Sequence, residues 1–155
     1  MRLMEGPFSA TGVSRCDLSS ADSTINTSGS NLRWGQAGRR ACHKLLNQFP
    51  QTTAIAAAND LVAIGCYEAL QERGVSCPKE VSVTGYNDSP FVDLLTPPLT
   101  TVRIPQREIG VQTARVLLQR IEDHRVFPAD VVLRPQLIVR LSAAAPRHTL
   151  ADPLK

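Results

Sequence analysis

An α/β fold is what this sequence predicts: a doubly wound, mostly parallel open sheet with helices on both faces. Three observations carry that expectation. Two short apolar runs, Thr53 to Ala58 (TAIAAA) and Val81 to Tyr86 (VSVTGY), have the length of strands. Between them lies a segment with apolar residues at helical spacing, joined to both by short connections. A second amphipathic helix follows Pro105, so strands and helices alternate as a parallel sheet requires.

Residues 1–30 read mostly as loop, with Ser, Thr, Asn and Asp crowded between Ser19 and Asn31. Leu32 to Asn47 has helical periodicity, with Ala37, Ala41, Leu45 and Leu46 on one face, and Pro50 stops it. The TAIAAA run suits a strand buried on both faces. From Leu61, LVAIGCYEALQERG is a helix with Leu61, Ile64, Ala69 and Leu70 turned inward and Gly74 just past its end. VSVTGY then completes a right-handed βαβ unit. Asn87 to Pro98 is a polar loop, and Leu99 to Ile104 is extended because of its Thr and Val content. Pro105 opens a helix to about Glu122, with Ile109, Ala114, Leu117 and Ile121 inward. Val131 to Leu133 and Leu137 to Leu141 are expected as two strands around Pro135, followed by a frayed tail. The chain thus divides into an ill-defined segment 1–30, a folded unit 31–146 and a tail 147–155.

A chain of 155 residues, 43% hydrophobic and 20% charged, is sized and composed as one globular domain with a real core. Aromatics are only 5%, so Ala, Val, Leu and Ile must build that core. The net charge of +3 is weak, and Arg39-Arg40 is the only adjacent basic pair, which excludes a clustered nucleic-acid surface. The opening residues lack an apolar signal region and no run is long enough to span a membrane, so a cytoplasmic location is expected. Cys16, Cys42, Cys66 and Cys77 form no CxxC pair and have no His at ligand spacing. Neither zinc nor a redox pair is indicated, and reduced, partly buried thiols are expected.

Dinucleotide, P-loop, nucleophile-elbow and zinc-protease motifs are all missing from the sequence. His43, His124 and His148 are far apart and have no partner at ligand or triad spacing. No enzyme activity, metal or cofactor is therefore expected.

The sharpest polar feature is Asn59-Asp60, at the carboxyl end of one strand and the start of a helix. Open α/β sheets bind ligands at that edge, where a carboxylate accepts hydrogen bonds from hydroxyls or amines. Asn and Asp are also preferred helix caps, and one residue can cap while the other faces a ligand. Asn87-Asp88, with Ser89-Pro90, follows the next strand at the same edge, where turn chemistry is the stronger explanation. Trp34, beside Arg33, either stacks on the apolar face of a sugar or base or packs on the core. Arg39 and Arg40 are most simply a solvated helix face.

From Thr53 to Asp123 the order of motifs resembles the C-terminal subdomain of LacI/GalR-family transcription regulators. The matching pieces are AANDL, a helix containing AIG, then ERG and CP, then EVSVTGYNDSP and LLTPPLTTVRIP, then a helix with Gly110 near its start. The closing LRPQLIVRLSAAAP resembles the family's final strands, so the likeness covers about Gly38 to Pro146. It implies one lobe of a periplasmic-binding-protein-like fold, whose cleft takes a small effector, a sugar or related metabolite, and shifts DNA affinity. It also implies that Asp60 matches the family's effector-contacting aspartate, with Asn59 beside it. Counting back from Gly38, the stacking aromatic of the family falls on Arg33, with Trp34 next to it. Arg2-Leu3 and Gly6-Pro7-Phe8 resemble the arginine, glycine and phenylalanine that open this lobe, off by one residue, which makes Arg2 a candidate ligand-binding arginine.

No helix-turn-helix or N-terminal lobe precedes the resembling region, so operator DNA would be reached only through a domain this sequence lacks. A closed two-lobed cleft is then not expected of these residues alone. The resemblance implies a homodimer, formed partly along the helix from Leu61 to Arg73 and the segment after Asp88. The alternative is a lobe of a periplasmic-type sugar-binding transport protein, which would carry a signal segment.

Overall fold

The structure, a computed structural model, describes residues 30–125 and 130–145, with side chains from residue 33 onward. Expectations for residues 1–29, 126–129 and 146–155, including Arg2, Cys16 and His148, lie outside the described residues. The described chain runs α1 (Ser30–Gln48), β1 (Ala54–Ala56), α2 (Asp60–Glu72), β2 (Ser82–Thr84), β3 (Thr101–Arg103), α3 (Gln106–Glu122) and β4 (Gln136–Ile138). This is the α/β order that the alternation predicts.

β1 pairs parallel with β2, Ala54 opposite Ser82 and Ala56 opposite Thr84. On the other side of β2, parallel bridges join Thr84 to Thr100 and Asn87 to Arg103, and so bring in β3. β4 closes the order antiparallel to β3, with Val102 opposite Leu137. Ser142 explains why the β2–β3 pairing is loose at its start. Its hydroxyl accepts from Thr100 N at 2.7 Å and donates to Val83 O at 2.6 Å, while its carbonyl accepts from Val83 N at 2.9 Å. One fully buried serine thus stands in for a stretch of ladder.

α2 has definite start and stop signals. The Asn59 side chain caps it by accepting from Val62 N at 2.9 Å. At the other end Gly74, at φ +67°, donates to Gln71 O while Val75 N donates to Leu70 O. That double bond pattern is the left-handed glycine stop of a Schellman motif.

α1 packs on α2 and α2 on β2, around a core of Cys42, Leu46, Ala63, Cys66, Ala69, Leu70, Val81, Val83, Val92 and Leu99. The two helices meet at glycines. A Cβ on Gly65 would lie 2.5 Å from Arg39 N, and one on Gly38 would lie 2.9 Å from the Cα of Val62. Ala37, Leu46, Ala69 and Leu70 are buried as periodicity suggests, and this close approach shifts the rest of each face. α1 buries Ala37, Gly38, Cys42 and Leu46, with Ala41 and Leu45 only half-buried. α2 buries Val62, Ala63, Cys66, Ala69 and Leu70, with Leu61 and Ile64 half-buried.

Three sequence expectations are corrected. β1 is not buried on both faces: Ala54 and Ala56 are exposed, since Ile55 and Ala57 alone turn toward the helices. α3 buries no side chain, and the residues expected inward, Ile109, Leu117 and Ile121, are 43%, 58% and 61% exposed. It packs on none of the other described elements closely enough to cover that stripe. Val131 to Leu133 forms no strand, because no described strand lies beside it to take its hydrogen bonds, and Val132 is 85% exposed. Of the two strands around Pro135 only one is seen, and it begins at Gln136.

Candidate functional site

The carboxyl ends of β1, β2 and β3 and the N-terminus of α2 meet at one edge of the molecule. Asn59 and Asp60 follow β1, Tyr86 to Ser89 follow β2, and Arg103 ends β3. Two backbone bonds draw this edge together, Asp60 N to Tyr86 O at 3.1 Å and Asn87 N to Val102 O at 2.9 Å.

Asp60 lies beneath that edge, 1% exposed. Its Oδ1 accepts from the Thr101 hydroxyl at 2.7 Å, and its Oδ2 accepts from Ser89 N at 2.7 Å. A buried carboxylate is tolerable only when its oxygens are hydrogen-bonded in this way. The positive end of the α2 dipole adds to the favourable setting. Gly85 makes room for it, since a Cβ there would run into Oδ1 of Asp60 and lie 2.8 Å from Leu99 Cδ2.

Asp88 forms the second charged centre. Its side chain is 5% exposed and lies between Arg103 Nε at 2.6 Å and Arg140 Nη2 at 2.7 Å. Burial pushes the Asp88 carboxyl up, but the two guanidiniums outweigh it and hold the group below the usual carboxylate range. The ion triad also steadies an unusual backbone. Asn87 and Asp88 have φ of 115° and 58°, a left-handed pair without glycine. Arg140 also donates to Leu99 O at 2.8 Å and so ties the end of β4 to the same turn.

The candidates among the described residues, Arg33, Trp34, Asn59 and Asp60, fall at one end of the α1–α2 pair. Gly38 faces Val62, Cys42 faces Cys66, and His43 and Asn47 face Arg73, so α1 and α2 run side by side in one direction. The start of α1, with Arg33 and Trp34, therefore lies at the end where Asn59 and Asp60 begin α2. Trp34 is 42% exposed and contributes little to the core. Asn59 spends its Oδ1 on the cap, and Asp60 spends one bond from each oxygen on the fold. Thr101, Arg103 and Arg140 were not singled out by the sequence. Paired hydroxyls in an otherwise apolar extended stretch, Thr100-Thr101, were the available signal for the first. Nothing local marks Arg140, whose partner Asp88 is 52 residues away.

His43 receives a hydrogen bond on Nδ1 from Arg73 Nε at 2.8 Å and contacts Glu72 through Nε2 at 2.9 Å. His124 Nδ1 contacts the carbonyl of Arg120 at 2.8 Å. Among the described residues, no three His, Cys, Asp or Glu side chains are grouped to hold a metal ion. None of the described helices is long and apolar enough to cross a membrane.

The chain is similar to known proteins. Residues 8–143 match the family described as a periplasmic binding protein-like domain. The lactose operon repressor of Rhizobium radiobacter is 40% identical over 111 residues, 72% of this chain and 97% of that protein. The regulator MalR of Streptomyces coelicolor is 36% identical over 110 residues, 71% of this chain but only 31% of MalR. Among solved structures, the complex of the transcriptional regulator CelR with cellobiose superposes with a TM-score of 0.67 at 34% identity, covering 70% of this chain and 33% of that one. The chain therefore spans nearly all of one relative and about a third of the others.

Proposed function

Because this chain belongs to the LacI/GalR-type family of transcription regulators with a periplasmic-binding-protein-like domain, we infer that it is the effector-sensing and dimerising portion of a sugar-responsive regulator. The observation that carries this reading is the gathering of Asn59, Asp60, Tyr86 and Arg103 at the carboxyl edge of a parallel sheet, beside a helix N-terminus. That edge is where open α/β sheets hold small polar ligands. Relatives named for lactose or bound to cellobiose make a sugar the ligand class of choice.

Each candidate has a role suited to a sugar. A carboxylate oxygen has two acceptor sites, so Asp60 keeps one on each oxygen for a ligand hydroxyl once the Ser89 turn moves aside. Asn59 keeps its amide NH₂ to donate. The exposed indole of Trp34 stacks on the apolar face of a sugar ring, with Arg33 donating beside it. Arg2 is a further candidate through family resemblance alone. No bond is made or broken in this scheme, and the protein acts as a sensor, not an enzyme. Effector binding favours one arrangement of the whole regulator, a cytoplasmic homodimer, and that arrangement changes its affinity for operator DNA.

Calorimetric titration of the full-length regulator with lactose, cellobiose and ribose tests this. Saturable binding of one of these sugars, weakened at least about tenfold in Asp60→Ala, is the expected result. No heat from any sugar with folded protein would remove the sugar-sensing reading. Unchanged affinity in the variant would remove Asp60 from the site.

A further inference from the structure

Cys42 and Cys66 are 24 residues apart in sequence, so neither forms a local motif. In the fold they face one another across the α1–α2 crossing, 2% and 3% exposed. The contact is reciprocal. Cys42 Sγ lies 3.9 Å from the Cys66 carbonyl, and Cys66 Sγ lies 4.0 Å from the carbonyl of Gly38, one turn before Cys42. Gly65, next to Cys66, allows the two backbones to touch beside the thiols. The Cys66 thiol also hydrogen-bonds the Cys42 thiol, so the two sulfurs lie against each other, the first thing a disulfide needs.

We propose that Cys42 and Cys66 are a redox-responsive thiol pair, which a peroxide converts into a disulfide tying α1 to α2. Three effects act on the Cys42 thiol. A hydrogen bond from the Cys66 thiol lowers its pKa, burial raises it, and the Arg73 guanidinium lowers it again, for a net fall below the ordinary thiol value. A larger thiolate fraction makes Cys42 the attacking sulfur. Its sulfur attacks one oxygen of hydrogen peroxide, the O–O bond breaks, and hydroxide leaves and takes up a proton as water. Cys42 is then a sulfenic acid. The Cys66 sulfur attacks that sulfur, the S–S bond forms, the S–O bond breaks, and a second water leaves with the Cys66 proton. In sum two thiols lose two electrons and one peroxide becomes two waters.

Cys77 does not compete from its place in the fold. Burial pushes its thiol up, and its Sγ is held 3.6 Å from Ser142 O beside β2. The new bond would close a loop through β1 and fix α1, with Arg33 and Trp34 at its start, against α2.

The experiment treats the reduced full chain with hydrogen peroxide, blocks free thiols by alkylation and maps peptides by mass spectrometry without reductant. A Cys42–Cys66 linked pair, two hydrogens lighter and reversed by dithiothreitol, is expected, with Cys77 still alkylated. In Cys66→Ala, dimedone should trap a sulfenic acid on Cys42. Wild-type protein with native circular dichroism that oxidises at Cys16 or Cys77 while Cys42 and Cys66 stay alkylated would overturn the proposal. So would a disulfide linking either of the pair to another cysteine. Mapping of the wild type decides the matter even if the alanine variant fails to fold.

Discussion

Thr101 donates its hydroxyl to Oδ1 of Asp60 at 2.7 Å, across 41 positions of sequence, with both side chains essentially out of contact with water. That bond joins the first turn of α2 to β3. Through Ser89 N on the other oxygen, the same carboxylate also holds the turn after β2. Asp60 is therefore a structural tie before any ligand arrives, and a ligand that borrowed its acceptors would loosen the turn carrying Asp88.

Thr101→Val keeps the shape of the side chain but leaves Oδ1 of Asp60 without this donor. An unsatisfied buried acceptor costs about 1–3 kcal/mol, and urea unfolding should show a loss in that range. Thr101→Ser, which restores the donor, should recover most of it. Equal losses in the two variants would mean that packing of the threonine methyl, and not the hydrogen bond, matters there.

The glycines of the α1–α2 crossing should respond to alanine with opposite signs. A Cβ on Gly65 meets backbone atoms of Gly35 and Arg39, which cannot move without separating the helices. Gly65→Ala should destabilise by about 2–3 kcal/mol or more, as overpacked cores do. A Cβ on Gly35 meets nothing within 4 Å. Gly35→Ala should stabilise by about 0.5–1 kcal/mol, the helix-propensity difference between the two residues. Thermal melts of both variants side by side check the contrast.

Asp88 gives the fold an acid-sensitive contribution. Its folded pKa is lowered because the pull of Arg140 and Arg103 exceeds the effect of burial. A depressed carboxylate stabilises the fold above its unfolded pKa of about 3.9, and that contribution fades as pH falls through the lower folded value. Asp88→Asn should therefore lose about 1–3 kcal/mol at neutral pH. The gap to wild type should begin to narrow as pH falls below about 3.9 and close only once pH has passed the lowered folded value. Glu72, lowered first by its hydrogen bond to His43, opposed next by burial and lowered again by Arg39, titrates with the same sign. A Glu72→Gln control separates the two in urea titrations run across that pH range.

Much of the fold was legible because its signals are local. Pro50, Gly74 and Pro105 punctuate the helices, and the apolar runs around Ile55 and Val83 mark the parallel pair. Asn59-Asp60 could be placed at the carboxyl edge of the sheet because strand ends and helix starts are adjacent in sequence. Ala37, Leu46, Ala69 and Leu70 are buried as periodicity predicts, but glycine contact, which periodicity does not encode, turns Gly38 and Cys42 inward ahead of Ala41 and Leu45. The Asp88–Arg140 pair, the Ser142 bridge and the facing thiols depend on partners 24 to 59 residues apart, and no local pattern announces them.

α3 offers the sharpest test of what the amphipathic pattern means in this chain. Its periodicity demands a buried face, yet Leu117 and Leu118 are each 58% exposed and Ile121 is 61% exposed. Hydrophobic stabilisation scales with area removed from water, so these side chains contribute little to the fold as described. Leu117→Gln and Ile121→Gln should each change the unfolding free energy of this chain by less than about 0.5 kcal/mol, the range of surface substitutions. Leu70→Ala, in the core at 1% exposure, should cost about 2–5 kcal/mol in the same assay. Losses on α3 as large as that of Leu70→Ala would mean that its apolar stripe is covered in solution. A cost that grows with protein concentration would assign the cover to a second copy of the chain, since stability gained by association depends on concentration and stability from intramolecular packing does not.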